Sequence, residues 1–271
     1  MGQMRVEGGA PGANLDRAVE MIRKAATAGC DVVVLPECLD LGWTWPEARA
    51  LAASIPGEHS DRLAAAAKKH GIWVAAGLTE RDAEKVYNCA VLVSRNGELM
   101  AKHRKINELA IAHDLYDVGD RLTAVPSPFG RLGVTICADN FPESLVFGHA
   151  LARMGVQILL SPCAWAVDAD HDNTKNPYGE LWLTAYGRLA SLYDMTVIGV
   201  SSVGWLTGGP WKGRKCIGNS MAVGPGGNVL AAAPYGVDAE CLTVVEISAA
   251  QPIARGAGFA DVLKERGYAG P

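Results

Sequence analysis

Apolar positions along this chain keep two rhythms, one helical and one extended. Leu15, Ala18, Val19, Ile22, Ala25 and Ala26 recur at three- and four-residue spacing between Asn14 and Ala28, which predicts a helix with one apolar face. Gly29 stands where a left-handed cap would end it. DVVVL (31–35) follows as an apolar, β-branched run, the pattern of a buried strand. The phrase then repeats: Ser60 can cap a helix through Lys69 that Gly71 stops, and IWVAAG (72–77) reads as the next strand. AVLVS and ELMAKH flank Arg95-Asn96-Gly97, a turn signal that predicts a β-hairpin.

Beyond a polar stretch at 104–130, RLGVTIC predicts a strand, SLVFGHALARM a helix stopped by Gly155, and VQILLS another strand. GELWLTAYGRLASLYD predicts a further helix, and MTVIGVS the strand after it. NSMAV and NVLAAA surround the turn GPGG, then CLTVVEI reads as a last strand before a polar tail at about 250–271. Strands alternating with helices, with no repeat or long linker, predict a single α/β domain over residues 1–271.

Composition narrows the function classes. At 271 residues and 49% hydrophobic, the chain can bury a large core. A net charge of -4 and a pI near 5.9 give no basic field for nucleic acid or anionic lipid. No apolar run reaches membrane-span length and the N-terminus lacks signal-peptide blocks, so the expected compartment is the cytoplasm. Seven scattered cysteines without a C-x-x-C pair argue against a disulfide framework or a zinc ribbon. DADHDN (168–173) crowds acids with a histidine but lacks ligand spacing, so it reads as a solvated loop rather than a metal module.

Three reactive side chains fall at or just past predicted strand ends, where open α/β sheets form their ligand crevices. Glu37 follows DVVVLP, Lys105 follows ELMAKHR, and Cys137 ends RLGVTIC. Taken alone, each has an ordinary reading: a solvated loop acid, a surface cation, an inert buried thiol.

Together with their neighbours, VVVLPEC, KHRKIN and GVTICADNFPE resemble, in order, the three signature segments of the nitrilase or carbon–nitrogen hydrolase superfamily. NSMAVGPGGNVLA and FADVLKERGY resemble its later strands and C-terminal tail. The resemblance implies a four-layer αββα sandwich, two mixed sheets with helices on the outer faces. It implies Cys137 as nucleophile, Glu37 as general base, and Lys105 rather than Lys102 as the oxyanion-stabilising cation, joined by the backbone N–H of Ala138. Lys105 would also help keep the Cys137 sulfur ionisable. No metal or cofactor is implied. Ala138-Asp139 resembles the amidase and carbamoylase branches, pointing to hydrolysis of an amide or N-carbamoyl group through a thioester. Nitrile hydrolysis, acyl transfer, or a catalytically silent member that binds a metabolite or partner are the alternatives the scaffold allows.

The chain departs from the family pattern in three places. No glutamate matches the family's second glutamate unambiguously: Asp114 and His113 are preferred for that supporting role, and Glu108 is the third candidate. CADNFPE is one residue shorter than the common form, and GQM resembles only the end of the family's first strand, so that strand is short or the true start lies upstream. Trp165 is expected to wall the pocket, while Cys163 reads as packing. Trp182, Tyr186, Leu189 and Tyr193 recur at helical spacing, a core or interface stripe. Family members usually dimerise through helices, and the helix at 179–193 is the candidate for a homodimer or larger assembly.

Overall fold

A computed structural model describes residues 1–253 and 259–268 of the chain. The Val32–Val34 strand pairs in parallel with Trp73–Asp82, which continues antiparallel to Lys85–Val93 and Leu99–Arg104, making a mixed four-stranded sheet. A six-stranded mixed sheet runs in the order Asn228–Ala232, Met221–Gly224, Thr196–Ser201, Ile158–Cys163, Gly130–Val134 and Ala124–Ser127, and the strands Thr196–Ser201 and Gly130–Val134 both run parallel to Ile158–Cys163.

Period-two alternation decides which face of each strand meets which layer. In the four-stranded sheet, Val33, Leu35, Val74, Ala76 and Leu78 pack beneath the helices Pro11–Thr27 and Glu58–His70, against Leu15, Ile22 and Leu63. Val34, Trp73, Ala75 and Leu92 face the other way, into a core shared with Leu132, Val134, Ile158 and Leu160 of the second sheet. Helices Leu145–Arg153 and Glu180–Tyr193 pack on one another at the far side, and Tyr186, Leu189 and their neighbours on the second helix cover the six-stranded sheet. The result is the expected αββα sandwich. Each fully buried Leu or Val in these layers contributes roughly 1.5–3 kcal/mol.

Several elements differ from the sequence reading. The helix expected to be capped by Ser60 begins at Glu58 with Gly57 as its cap, and the Ser60 hydroxyl reaches back to the Gly57 amide at 2.9 Å. The RLGVTIC strand ends at Val134, because the Ile136 amide that would extend the ladder donates to Asp139 Oδ2 at 2.9 Å. Only Cys241–Leu242 of CLTVVEI is strand, since its antiparallel partner Gly2–Gln3 is itself two residues long. Part of the polar stretch at 104–130 forms the Ala124–Ser127 strand. In the tail, FADVLKERGY contains a short helix, Ala260–Glu265, whose Leu263 is buried. The beginning of that tail, 254–258, and its end, 269–271, lie outside the described residues.

Candidate active site

Glu37 stands on a loop pinned between the two sheets. Its amide donates to the Cys163 carbonyl at 3.2 Å, while Gly77 of the neighbouring strand donates to Pro36 O and accepts from the Leu39 amide, both at 2.9 Å. That approach demands a glycine, because a Cβ at position 77 would lie 2.4 Å from Glu37 Cα. Three residues on, the buried Asp40 carboxylate accepts from the Leu41 amide at 2.9 Å and from the Thr79 amide at 3.1 Å, and faces His59 Nδ1 at 2.9 Å. The Glu37 loop is therefore tied to a strand on one side and a helix on the other.

Lys105 follows the Leu99–Arg104 strand and is 1% exposed. Its Nζ lies 2.8 Å from Glu37 Oε1 and 3.4 Å from Glu108 Oε1. Burial works against the ammonium, but Glu108, Glu37 and the Cys137 sulfur outweigh it and hold Lys105 well above its ordinary range. Burial pushes the Glu108 carboxyl up, with Lys105 opposing. Asn88 completes the cluster: its Nδ2 donates to Glu37 Oε1 at 2.6 Å and to Glu108 Oε2 at 3.3 Å. Lys102 pairs instead with Glu80, away from this group.

Cys137 opens a one-turn 3-10 helix, Cys137–Asn140, and holds a left-handed φ of 42°. Asp139 and Asn140 fix that turn. Asp139 Oδ1 accepts the Ile106 and Asn107 amides at 3.0 and 2.8 Å, and Oδ2 meets His103 Nε2 at 2.8 Å, so the Cys137 turn is bolted to the segment carrying Lys105. Burial alone would raise the Asp139 carboxyl, but His103 and the amides of Asn107 and Ile136 hold it below its ordinary value. Asn140 Nδ2 donates to Thr135 Oγ1 at 3.0 Å and Ser161 Oγ at 2.9 Å. The Ala138 amide has no acceptor among the described residues, which leaves it available as a donor. The neighbouring Cys163 thiol, burial and the Glu37 charge push the Cys137 thiol well above its ordinary value. Lys105 pulls in the expected direction and is outweighed, so the resting sulfur is a thiol that needs a base.

Glu37, Lys105 and Cys137 line one cleft, walled by six aromatic rings that include Trp165 and Trp182. Of the three residues considered for the supporting acid, Glu108 is buried against Lys105, whereas His113 and Asp114 are exposed. The preference for those two fails because the chain turns after Leu109: His113 Nε2 faces the Glu108 carbonyl at 3.1 Å and the Asp114 carbonyl accepts from Arg49 at 3.3 Å. The stripe on Glu180–Tyr193 is core, buried within the chain's own layers, and Trp182 also walls the cleft. Cys163 is fully buried beside Cys137. In DADHDN, Asp168 pairs with Arg214 at 2.9 Å and Asp172 caps Thr174; among the described residues no group of three or more His, Cys, Asp or Glu could hold a metal. No helix among them is long and apolar enough to cross a membrane.

Asn88 and His103 escaped the sequence reading. Asn88 carried a signal, a lone amide in the apolar strand VYNCAVLV, where a polar side chain needs a partner.

A family model described as carbon-nitrogen hydrolase matches residues 2–253. The omega-amidase NIT2 of Xenopus tropicalis is 32% identical over 163 residues, 56% of this chain and 58% of that protein, so the match spans little more than half of that relative's length. A nitrilase of Pyrococcus abyssi is 30% identical over 229 residues, 82% of this chain and 79% of that one. Among solved structures, an amidase from Nesterenkonia sp. AN1 with acrylamide added to its active-site cysteine has the same fold, with a TM-score of 0.72, 22% identity, and coverage of 87% of this chain and 89% of that chain.

Proposed function

Because this chain belongs to the carbon–nitrogen hydrolase family, we propose that it hydrolyses the carbon–nitrogen bond of a small amide, or of an N-carbamoyl group, through a thioester on Cys137. The observation that carries this reading is the buried Lys105 Nζ to Glu37 Oε1 pair at 2.8 Å, in one cleft with Cys137.

The Cys137 thiol, held neutral at rest, gives its proton to Glu37 as its sulfur bonds to the substrate carbonyl carbon. The resulting oxyanion is held by the Lys105 ammonium and the Ala138 amide. Collapse breaks the carbon–nitrogen bond, and Glu37 returns the proton to the leaving nitrogen, which departs as ammonia or an amine. Water then attacks the thioester and passes a proton to Glu37. Collapse releases the carboxylic acid and restores the thiol with that proton. Glu108 and Asn88 support the cycle by keeping Lys105 charged and Glu37 aimed. The omega-amidase relatives support an amide as the substrate.

Seven free thiols fit a reducing, cytoplasmic setting. A homodimer is supported by Leu181 and Leu183, 45% and 40% exposed on either flank of the buried stripe of Glu180–Tyr193. Light scattering on the purified protein checks it.

The test is ammonia release from a panel of primary amides and N-carbamoyl amino acids. Cys137→Ala is expected to lose activity by about a thousandfold or more, and intact-mass analysis to find the acyl group on Cys137. Wild-type rates in Cys137→Ala, or an adduct on Cys163 instead, refute the assignment.

A further inference from the structure

We propose that this cleft selects uncharged acyl groups with a flat or compact apolar body, aryl amides foremost, and rejects amides that carry a carboxylate. The proposal rests on the amidase reading above and deepens it.

The cleft is walled by rings. Trp165 and Trp182 stack with centroids 4.8 Å apart and planes 21° from parallel, and Phe141 lies 5.3 Å from Trp182. Tyr178 accepts the Trp182 indole N–H at 3.0 Å, which fixes both rings. Trp43 and Trp211 form a second, edge-to-face pair at 4.8 Å. All six line the cleft that holds Cys137. Such walls reward flat apolar surface through dispersion and offset stacking.

Charge in the cleft points the same way. Among the described lining residues Lys105 is the one cation, and Glu37 and Glu108 already engage it. A ligand carboxylate would lose its water and meet two carboxyl groups for one ammonium, and the unpartnered indole N–H groups of Trp43 and Trp165 offer it only neutral donors in place of hydration. Of the basic residues that follow Trp211, Lys212 is exposed and does not line the cleft, and Arg214 and Lys215 are occupied. Arg214 lies 4.3 Å over the Trp211 ring with its Nε on Asp168, and Lys215 donates to the carbonyls of Ala169 and His171 at 3.0 and 3.3 Å. A cationic acyl group is the competing occupant, since tryptophan faces attract ammonium groups. Lys105 opposes it: its Nζ sits 6.0 Å from the Trp43 ring centroid and repels a second positive charge there.

The experiment compares kcat/KM for benzamide, 4-methylpentanamide, succinamate and 4-aminobutanamide; the second and third share a shape and differ in charge. A parallel titration follows tryptophan fluorescence of Cys137→Ala with the same four compounds, so binding is read without turnover. The two uncharged amides are expected to exceed succinamate by about a hundredfold in kcat/KM and to bind Cys137→Ala where succinamate does not. Turnover with succinamate equal or preferred overturns this proposal and leaves the amidase reading standing. Preference for 4-aminobutanamide overturns it in favour of a cation box. Binding of the uncharged amides with no hydrolysis of any compound by wild type overturns the amidase reading and upholds the selectivity. Absence of both binding and turnover for the uncharged pair overturns the proposal.

Discussion

Cys137 carries its thiol on a backbone with φ at 42°, a region that a side chain enters only at a cost near 1 kcal/mol. The strain persists because Asp139 and Asn140 lock the turn around it. Replacing the cysteine therefore separates chemistry from conformation. Cys137→Gly and Cys137→Ala both lose the nucleophile, but glycine accepts this φ freely. The glycine variant is expected to be the more stable of the two by about 0.5–1 kcal/mol in urea denaturation; the opposite order contradicts the strain argument. A second substitution addresses the acid beside Lys105. Glu108→Gln keeps the volume and removes the charge, and is expected to lower kcat about ten- to a hundredfold with little change in folding stability. An unchanged kcat means that Glu108 is only packing. At this scale the reading of the sequence was uneven for a physical reason. Glu37, Lys105 and Cys137 sit in segments with their own signatures, whereas Glu108 was ranked below His113 and Asp114. Spacing along a loop does not say which way the chain turns after Leu109.

The strand and the turn are what hold those residues in register. Gly77 lies in the middle of a ten-residue strand and lets the Glu37 loop cross at contact distance. Gly77→Ala puts a methyl 2.4 Å from Glu37 Cα, so the loop must retreat. A displacement near 1 Å of a catalytic group costs about a hundredfold, and the variant is expected to lose that much in kcat/KM while still folding. Near-wild-type activity argues that the loop adapts. The nucleophile turn depends on one carboxylate in the same way. Asp139→Asn must present an amide N–H to donors that now share a carboxylate, and is expected to lose about 2–4 kcal/mol. Its pH dependence has a definite sign. The depressed Asp139 carboxyl stabilises the fold above its ordinary value of 3.8, and that contribution is lost as pH falls through the lower folded value. The gap between wild type and variant should thus narrow below pH 3.8 in chemical denaturation; a constant gap assigns the loss to something other than the charge. Most helices and strands were legible from periodicity. The strand end at Val134 was not, because it is decided by a side chain three residues beyond Ile136 capturing its amide.

At the scale of the whole molecule, alternation predicts strands and helices but not their assignment to two facing sheets. Val32–Val34 pairs with Trp73–Asp82, and Gly130–Val134 with Ile158–Cys163, through crossovers that no local pattern encodes. The sandwich was legible through family resemblance alone. Its consequence is that thiols scattered in sequence become buried in its several cores. Burial pushes Cys38, Cys89 and Cys216 above the ordinary thiol value of 9.0, Cys216 to about 12, and Cys137 is pushed up by Cys163 and by burial. In the unfolded chain all four release their protons near 9.0, while the folded state keeps them. Above that pH the unfolded state binds fewer protons than the native one, so stability falls as pH rises. The four groups act in the same direction, so their effects on stability add. Urea midpoints measured from pH 8 to 10.5 under reducing conditions should be level at first and then drop steeply above about pH 9. Cys216→Ala should soften that slope by about a quarter, with little effect below it beyond a constant offset from the lost sulfur. A wild-type midpoint that stays flat to pH 10.5 would mean that the sulfurs ionise in place, and with them the argument that Cys137 needs Glu37 to become a nucleophile would fall.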